Sequence, residues 1–208
     1  MRRLLSSAQA RTASRLLQLA IAGIFVVGLA TRNLSVVVNA ALALGVTFLP
    51  ALLARDFDIR VDAGLVLLLT VALFLHTLGM LGLYAGVWWY DHVTHTLSAM
   101  LVAGVGYTAT KAVDHYSDAI YLPRRFLALY IVLFTLAAGV FWEVLEFLAR
   151  EFVVGLGFDP VLVQYGLDDT LVDLVFDTVG ALVVALFGTE RFDDLSDRVT
   201  EWLVTEWS

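Results

Sequence analysis

Apolar runs dominate this chain, and its polar residues gather where the runs begin and end. Six stretches, at 16–30, 34–54, 61–83, 92–113, 126–150 and 170–188, have the length and character to cross a hydrocarbon core about 30 Å thick. The first is short and needs Thr12–Ser14 or Thr31 to complete the crossing. No convincing small-residue cleavage site follows it, so it reads as a retained helix rather than a signal peptide. The pattern predicts an all-α integral membrane protein, with a bundle of about six transmembrane helices over 1–190. After Arg191 the pattern changes: Phe192, Leu195, Val199 and Trp202 recur at helical intervals with acids between them. That spacing predicts an amphipathic interfacial tail over 191–208. The connection 151–168 is itself rich in apolar side chains, from Phe152 to Val163, and predicts an interfacial segment or a lid.

Composition narrows the class. Of 208 residues, 60% are hydrophobic and only 16% charged, with a mean hydropathy of +0.85. Soluble domains sit near 45–50% apolar and 25% charged, and a core of this size cannot hide the excess. A net charge of −7 and a pI near 4.9 argue against a nucleic-acid partner. The absence of cysteine removes disulfides, thiolate metal sites and cysteine nucleophiles.

Charge also predicts sidedness. With the N-terminus inside, eleven of the thirteen basic residues fall on the cytoplasmic side, and only Arg32 and Arg150 lie outside. Both termini are then cytoplasmic in a multi-pass protein of the cell membrane. Trp88, Trp89 and Tyr90 form an aromatic run at the outer interface. The inner side balances eleven acids with eleven bases, so the net charge of −7 belongs to the outer side.

Much of that outer charge lies within the helices. The fourth opens with Asp91, His92 and His95, the fifth closes with Glu143, Glu146 and Arg150, and the sixth opens with Asp169, Asp173 and Asp177. His92 and His95 are three apart, and the members of the other two sets are three or four apart, which puts each group on one face. The alternating helix directions bring His95, Glu143 and Asp177 to similar depths, and His76 can reach the same layer. Ionised carboxylates in a bilayer are costly and mark function by default. A divalent metal (zinc, manganese or iron) is the economical way to gather imidazole and carboxylates at one depth. The expected ligands are His95, Glu143, Glu146, Asp173 and Asp177. Simpler readings stand beside this one: His76 as a hydrogen-bonded packing residue, Asp91 and Asp168 as helix caps, and Arg150 as the partner of Glu146.

Three blocks carry a resemblance: Asp91-x-x-x-His95, Glu143-x-x-Glu146 followed by Arg150, and Asp173-x-x-x-Asp177-x-x-Gly180. In order and position, within 88–185, they resemble the VanZ-like superfamily and especially the YjdF-like family of small multi-pass membrane proteins. The resemblance implies a helical membrane fold with an extracytoplasmic polar site. This chain departs from it in having His92 where Lys is usual, Glu146 for Gln and Asp177 for Asn, which makes its site more acidic.

Three functions follow from these residues. The first is a metal-assisted hydrolase or transferase acting on a membrane lipid or lipid-linked substrate, with Asp91 or His92 moving a proton and Arg150 holding an anionic head group. The second is a cation or proton transporter using the same carboxylates. The third is a non-catalytic protein that binds an envelope lipid or a partner. The apolar inner halves of the last three helices, and the lack of an internal repeat, weigh against transport. Oligomeric state is left open by the sequence.

Overall fold

The computed structural model describes residues 5–117, 119–158, 160–162 and 166–207, and every regular element among them is helical. The chain runs α1 (Ser7–Thr31), α2 (Leu34–Val46), α3 (Leu49–Asp56), α4 (Ala63–Leu78), a π-turn at Gly79–Leu83, the short α5 (Tyr84–Gly86), α6 (Tyr90–Tyr116), α7 (Arg124–Gly155), α8 (Leu167–Val183), a second π-turn at Val184–Gly188, and α9 (Thr189–Trp207). By length and composition, five helical segments can cross a membrane: Ser7–Thr31, Leu34–Asp56, Ala63–Gly86, Arg124–Gly155 and Leu167–Glu206.

The remaining long helix is α6, with 27 residues, and it carries Asp91, Lys111 and Asp114. Its polarity has a packing reason. It lies against α4, α7, α8 and α9, so much of its surface meets protein rather than lipid. Small residues make that possible: Ala99, Ala103, Gly104, Gly106 and Ala112 are all buried. Gly180 of α8 sits so close to the Thr96 carbonyl and Ala99 that a Cβ there would collide with both. Gly104 faces the Phe192 ring of α9 in the same manner. Two cores result. One gathers Ile21, Ile24, Val36, Ala40 and Ala43 between α1 and α2, with Leu73 and Phe74 of α4 packed against it. The other gathers Ala103, Tyr107, Leu127, Ile131, Ala181, Val184 and Phe192 around α6. Large side chains elsewhere turn outward, as at Leu129, Phe141 and Phe147 of α7, the inverse of a soluble surface.

The elements depart from the sequence expectations in four places. The first span is longer than its apolar run, because a capping box of Ser6 and Gln9 starts the helix ahead of Arg11 and Arg15. The second is divided at 47–48. Pro50 stands in the first turn of α3, where its ring and missing N–H would break a continuous ladder. The fifth runs to Gly155, so Phe152, Val153 and Val154 belong to α7 instead of a loop. Asp159 and Val163 of the expected interfacial segment lie outside the described residues. Beyond α8 the helix continues through the π-turn into α9, which packs along the far half of α6. There Tyr107 donates a hydrogen bond to Asp193 at 2.5 Å, Lys111 pairs with Asp193 at 3.3 Å, and His115 approaches Asp197 at 3.5 Å. The residues expected as a tail thus contact the bundle over more than one turn.

Because α6 and α8 meet at Gly180, Gly180→Val is expected to cost about 1–3 kcal/mol through overpacking. Gly23, which faces open space, should accept Ala without loss. Thermal unfolding of both variants in detergent checks the contrast.

Candidate functional site

Three helices bring their acidic faces together at one end of the bundle, where α6 and α8 begin and α7 finishes. Four carboxylates there are 3–9% exposed: Glu143 and Glu146 of α7, and Asp173 and Asp177 of α8. The i, i+3 spacing on α7 and the i, i+4 spacing on α8 turn both members of each pair inward. Between them stands His95 of α6. Its Nε2 lies 3.7 Å from Asp91 Oδ1 and 3.7 Å from Asp173 Oδ2, and its Nδ1 is 3.3 Å from Asp177 Oδ1. One imidazole thus faces two carboxylates on one edge and a third on the other.

Asp91, His95 and Asp173 each offer a ligand atom, and all three atoms lie within 4.8 Å of one another, close enough to hold a metal ion. Their nature suits it, since imidazole and carboxylate together suit zinc, manganese and iron. Two oxygens of the surrounding carboxylates also lack partners. Asp173 Oδ1 and Glu143 Oε1 are buried with no hydrogen-bond partner among the described residues, and a buried acceptor without a partner is costly. The other Glu143 oxygen accepts from the Thr170 hydroxyl at 2.7 Å. Thr170 is one turn before Asp173, so this bond ties α7 to α8 beside the cluster.

The site opens on a cavity of about 360 Å³, lined at its polar end by Asp91, Thr94, His95, Glu146, Asp173 and Asp177. Of the residues singled out in the sequence, those five acid and histidine side chains and His76 therefore share one space. Glu143 is buried against Thr170 outside the cavity lining. His92 is not brought in: its ring stacks on Phe176 at 4.3 Å between centroids, nearly parallel, and its Nδ1 has no hydrogen-bond partner among the described residues. Arg150 is exposed on the last turns of α7 and does not line the cavity.

A second polar chain joins the cavity from α2 and α4. Asn39 donates through Nδ2 to the carbonyls of Ser35 and Val161, both at 2.9 Å, so its Oδ1 faces His76. His76 Nε2 lies 3.0 Å from that oxygen and must carry the hydrogen, leaving Nδ1 to accept from the Tyr84 hydroxyl at 2.9 Å. Ser35 also donates to the Val161 carbonyl, at 2.7 Å. His76 and Tyr84 both line the cavity, as does Leu162 beside the anchored carbonyl. His76 is thus both a hydrogen-bonded core residue and a member of the site's wall. Sequence reasoning missed Asn39, Tyr84 and Thr170. A lone Asn in the apolar run of α2 was the available signal; nothing distinguished Tyr84 or Thr170 before folding.

With this geometry in view, the chain belongs to a defined class of proteins. Residues 13–194 match the family described as a predicted membrane protein, DUF2238, and the chain is a member of that family. The description carries neither an activity nor the VanZ-like name. An uncharacterised protein of Thermotoga maritima is 26% identical over 121 residues, covering 57% of this chain. The aligned part is 58% of that relative's length, so the likeness spans little more than half of each protein. No solved structure matches the chain significantly.

The Thr170–Glu143 bond gives a direct test. Thr170→Val should lower stability by about 1 kcal/mol. Glu143→Leu should then cost less in that background than in the parent, a coupling that a double-mutant cycle of thermal unfolding reads.

Proposed function

We propose that this protein is a metal-dependent hydrolase or transferase that works on a lipid-linked substrate at the acidic end of its bundle. The observation that carries the reading is the meeting of Asp91, His95 and Asp173, from two helices distant in sequence, within ligand distance of one another. Asp173 Oδ1, buried and without a partner among the described residues, supports it.

The roles differ from residue to residue. Asp91 and Asp173 share the Nε2 edge of His95 and are the carboxylate ligands beside it. Asp177 lies on the opposite edge, where it accepts the Nδ1–H and orients the ring, as carboxylates do behind metal-bound histidines. Gly139 allows this, because any Cβ there would strike Asp177 Oδ2. Glu146 faces the same cavity and is placed to take a proton from an attacking hydroxyl. Zinc, manganese or iron bound here would polarise a phosphoryl or acyl oxygen. Transport by the same carboxylates is the poorer reading, because the cavity's deeper walls are largely apolar.

The lysine and arginine distribution supports a cell-membrane orientation with both termini cytoplasmic and the acidic end outside. The resemblance to VanZ-like and YjdF-like proteins supports the same sidedness. An outward site favours envelope lipids over cytoplasmic metabolites as substrates.

Two experiments test these statements. Elemental mass spectrometry of the purified protein should find about one zinc, manganese or iron per chain, with none in His95→Ala or in the Asp91→Ala/Asp173→Ala double variant. Metal absent from the parent after loading would sink the mechanism. For sidedness, the chain has no cysteine, so single substitutions label cleanly. Trp88→Cys should react with an impermeant maleimide in intact cells, and Tyr121→Cys only after the membrane is opened.

A further inference from the structure

The polar groups that line the cavity can accept hydrogen bonds but have almost none left to give. Four carboxylates are among them, from Asp91, Glu146, Asp173 and Asp177, and no lysine or arginine joins them among the described residues. The hydroxyls have spent their hydrogens within the protein. Thr94 donates to the Asp91 carbonyl at 2.8 Å, and Thr135 to the Ile131 carbonyl at 2.8 Å. Tyr84 is fixed through a longer chain. Asn39 uses its amide hydrogens on two carbonyls, so its oxygen takes the Nε2–H of His76, and His76 Nδ1 takes the Tyr84 hydrogen at 2.9 Å. The Tyr84 oxygen therefore keeps only lone pairs for the cavity. Gly79 permits this pose, because a Cβ there would strike the Tyr84 ring. Asp91 and Glu146 are the carboxylates whose field reaches the same hydroxyl. Only Ser98 and the Trp142 indole add neutral donors to the walls.

The charges are as one-sided as the hydrogen bonds. A divalent ion on Asp91, His95 and Asp173 balances two carboxylates, and Asp177 is held by His95 Nδ1. Glu146, only 9% exposed, has neither a hydrogen bond nor an ion pair among the described residues. Asp173, which lines the cavity and is 3% exposed, keeps Oδ1 without a partner among them. A phosphate or carboxylate head group would add acceptors and repulsion here. An ammonium group brings three N–H donors, no acceptor and one positive charge. We propose that the lipid taken by this site carries a protonated primary amine, held by the Tyr84 oxygen and the carboxylates of Asp91 and Glu146. The inference deepens the lipid-linked reading above and rests on it for the chemistry at the metal, whereas the place of the amine rests on the lining groups. It makes the substrate an amine-bearing lipid rather than an anionic one.

The test titrates the full chain, in uncharged detergent at neutral pH, with decylamine, decanol and decanoate, which share one tail and differ in the head. Native mass spectrometry reads the affinities. Decylamine should bind about tenfold more tightly than decanol, and decanoate most weakly. Glu146→Gln and Tyr84→Phe should each remove most of that preference, while unchanged decanol binding shows that the cavity is intact. Asp168→Asn, an exposed residue in the first turn of α8, should leave the preference as it is. Equal binding of decylamine and decanol overturns the proposal, as does an Asp168 variant that acts as strongly as the Glu146 one, since the attraction is then a surface effect. Decyltrimethylammonium, which has no N–H, should bind more weakly than decylamine; equal affinity overturns the acceptor set. Ethylamine that binds as tightly as decylamine overturns the lipid source in favour of a free amine. Each titration is repeated after chelation and after loading with zinc. A preference that zinc abolishes overturns the proposal, because the amine was then occupying the metal's carboxylates. A preference that holds in a chain unable to bind metal leaves the amine site standing and removes the metal reading, and metal bound without any preference does the reverse.

Discussion

Burial of four carboxylates in an apolar bundle is the constraint to which the rest of the molecule answers. Each would be expensive alone in a medium that offers no water, so the chain surrounds them with the few groups that can face them. His95 stands among Asp91, Asp173 and Asp177, and Thr170 donates to Glu143. The start of α6 adds a favourable field at Asp91, which lies in its first turn. These contacts do not exhaust the acceptors: one oxygen each of Glu143 and Asp173 is buried with no partner among the described residues.

Holding that cluster requires backbones to approach closely. Gly180 lets α8 touch α6 a turn below Asp177, and Gly139 leaves room for the Asp177 carboxylate itself. Small residues therefore serve the site as much as the packing, and α6 can carry polar residues along its length because its neighbours shield it. The same arrangement leaves a cavity beside α6, where Ser98, Ala99 and Ala138 are too small to fill the space between helices. Site and cavity are two consequences of one choice of small side chains.

The first half of the chain contributes support rather than chemistry. Asn39 binds a carbonyl of the α7–α8 connection and orients His76, and His76 in turn holds the Tyr84 hydroxyl at the cavity wall. A single amide thus links the segment bearing Leu162 to the ring that faces the acidic cluster. In lipid such a chain is favoured over isolated polar groups, since each member satisfies the next.

The sequence by itself determined the membrane class, the rough limits of most of the apolar helices, and the identity of most acidic residues in the cluster. Those follow from local composition and from 3.6-residue periodicity, which need no knowledge of neighbours. It could not determine which members converge. His92 and His95 are equivalent by spacing, yet one stacks on Phe176 and the other meets three aspartates, because the rotation of α6 about its axis is decided by its packing on α7 and α8. Nor could it show that Asp91 sides with Asp173 while Asp177 takes the opposite edge of the ring, or that Tyr84, Asn39 and Thr170 join in. Such partnerships depend on distances between residues up to 126 positions apart, as in the Ser35–Val161 bond. Only the tertiary structure decides them, through where small side chains let helices close and where larger ones keep them apart.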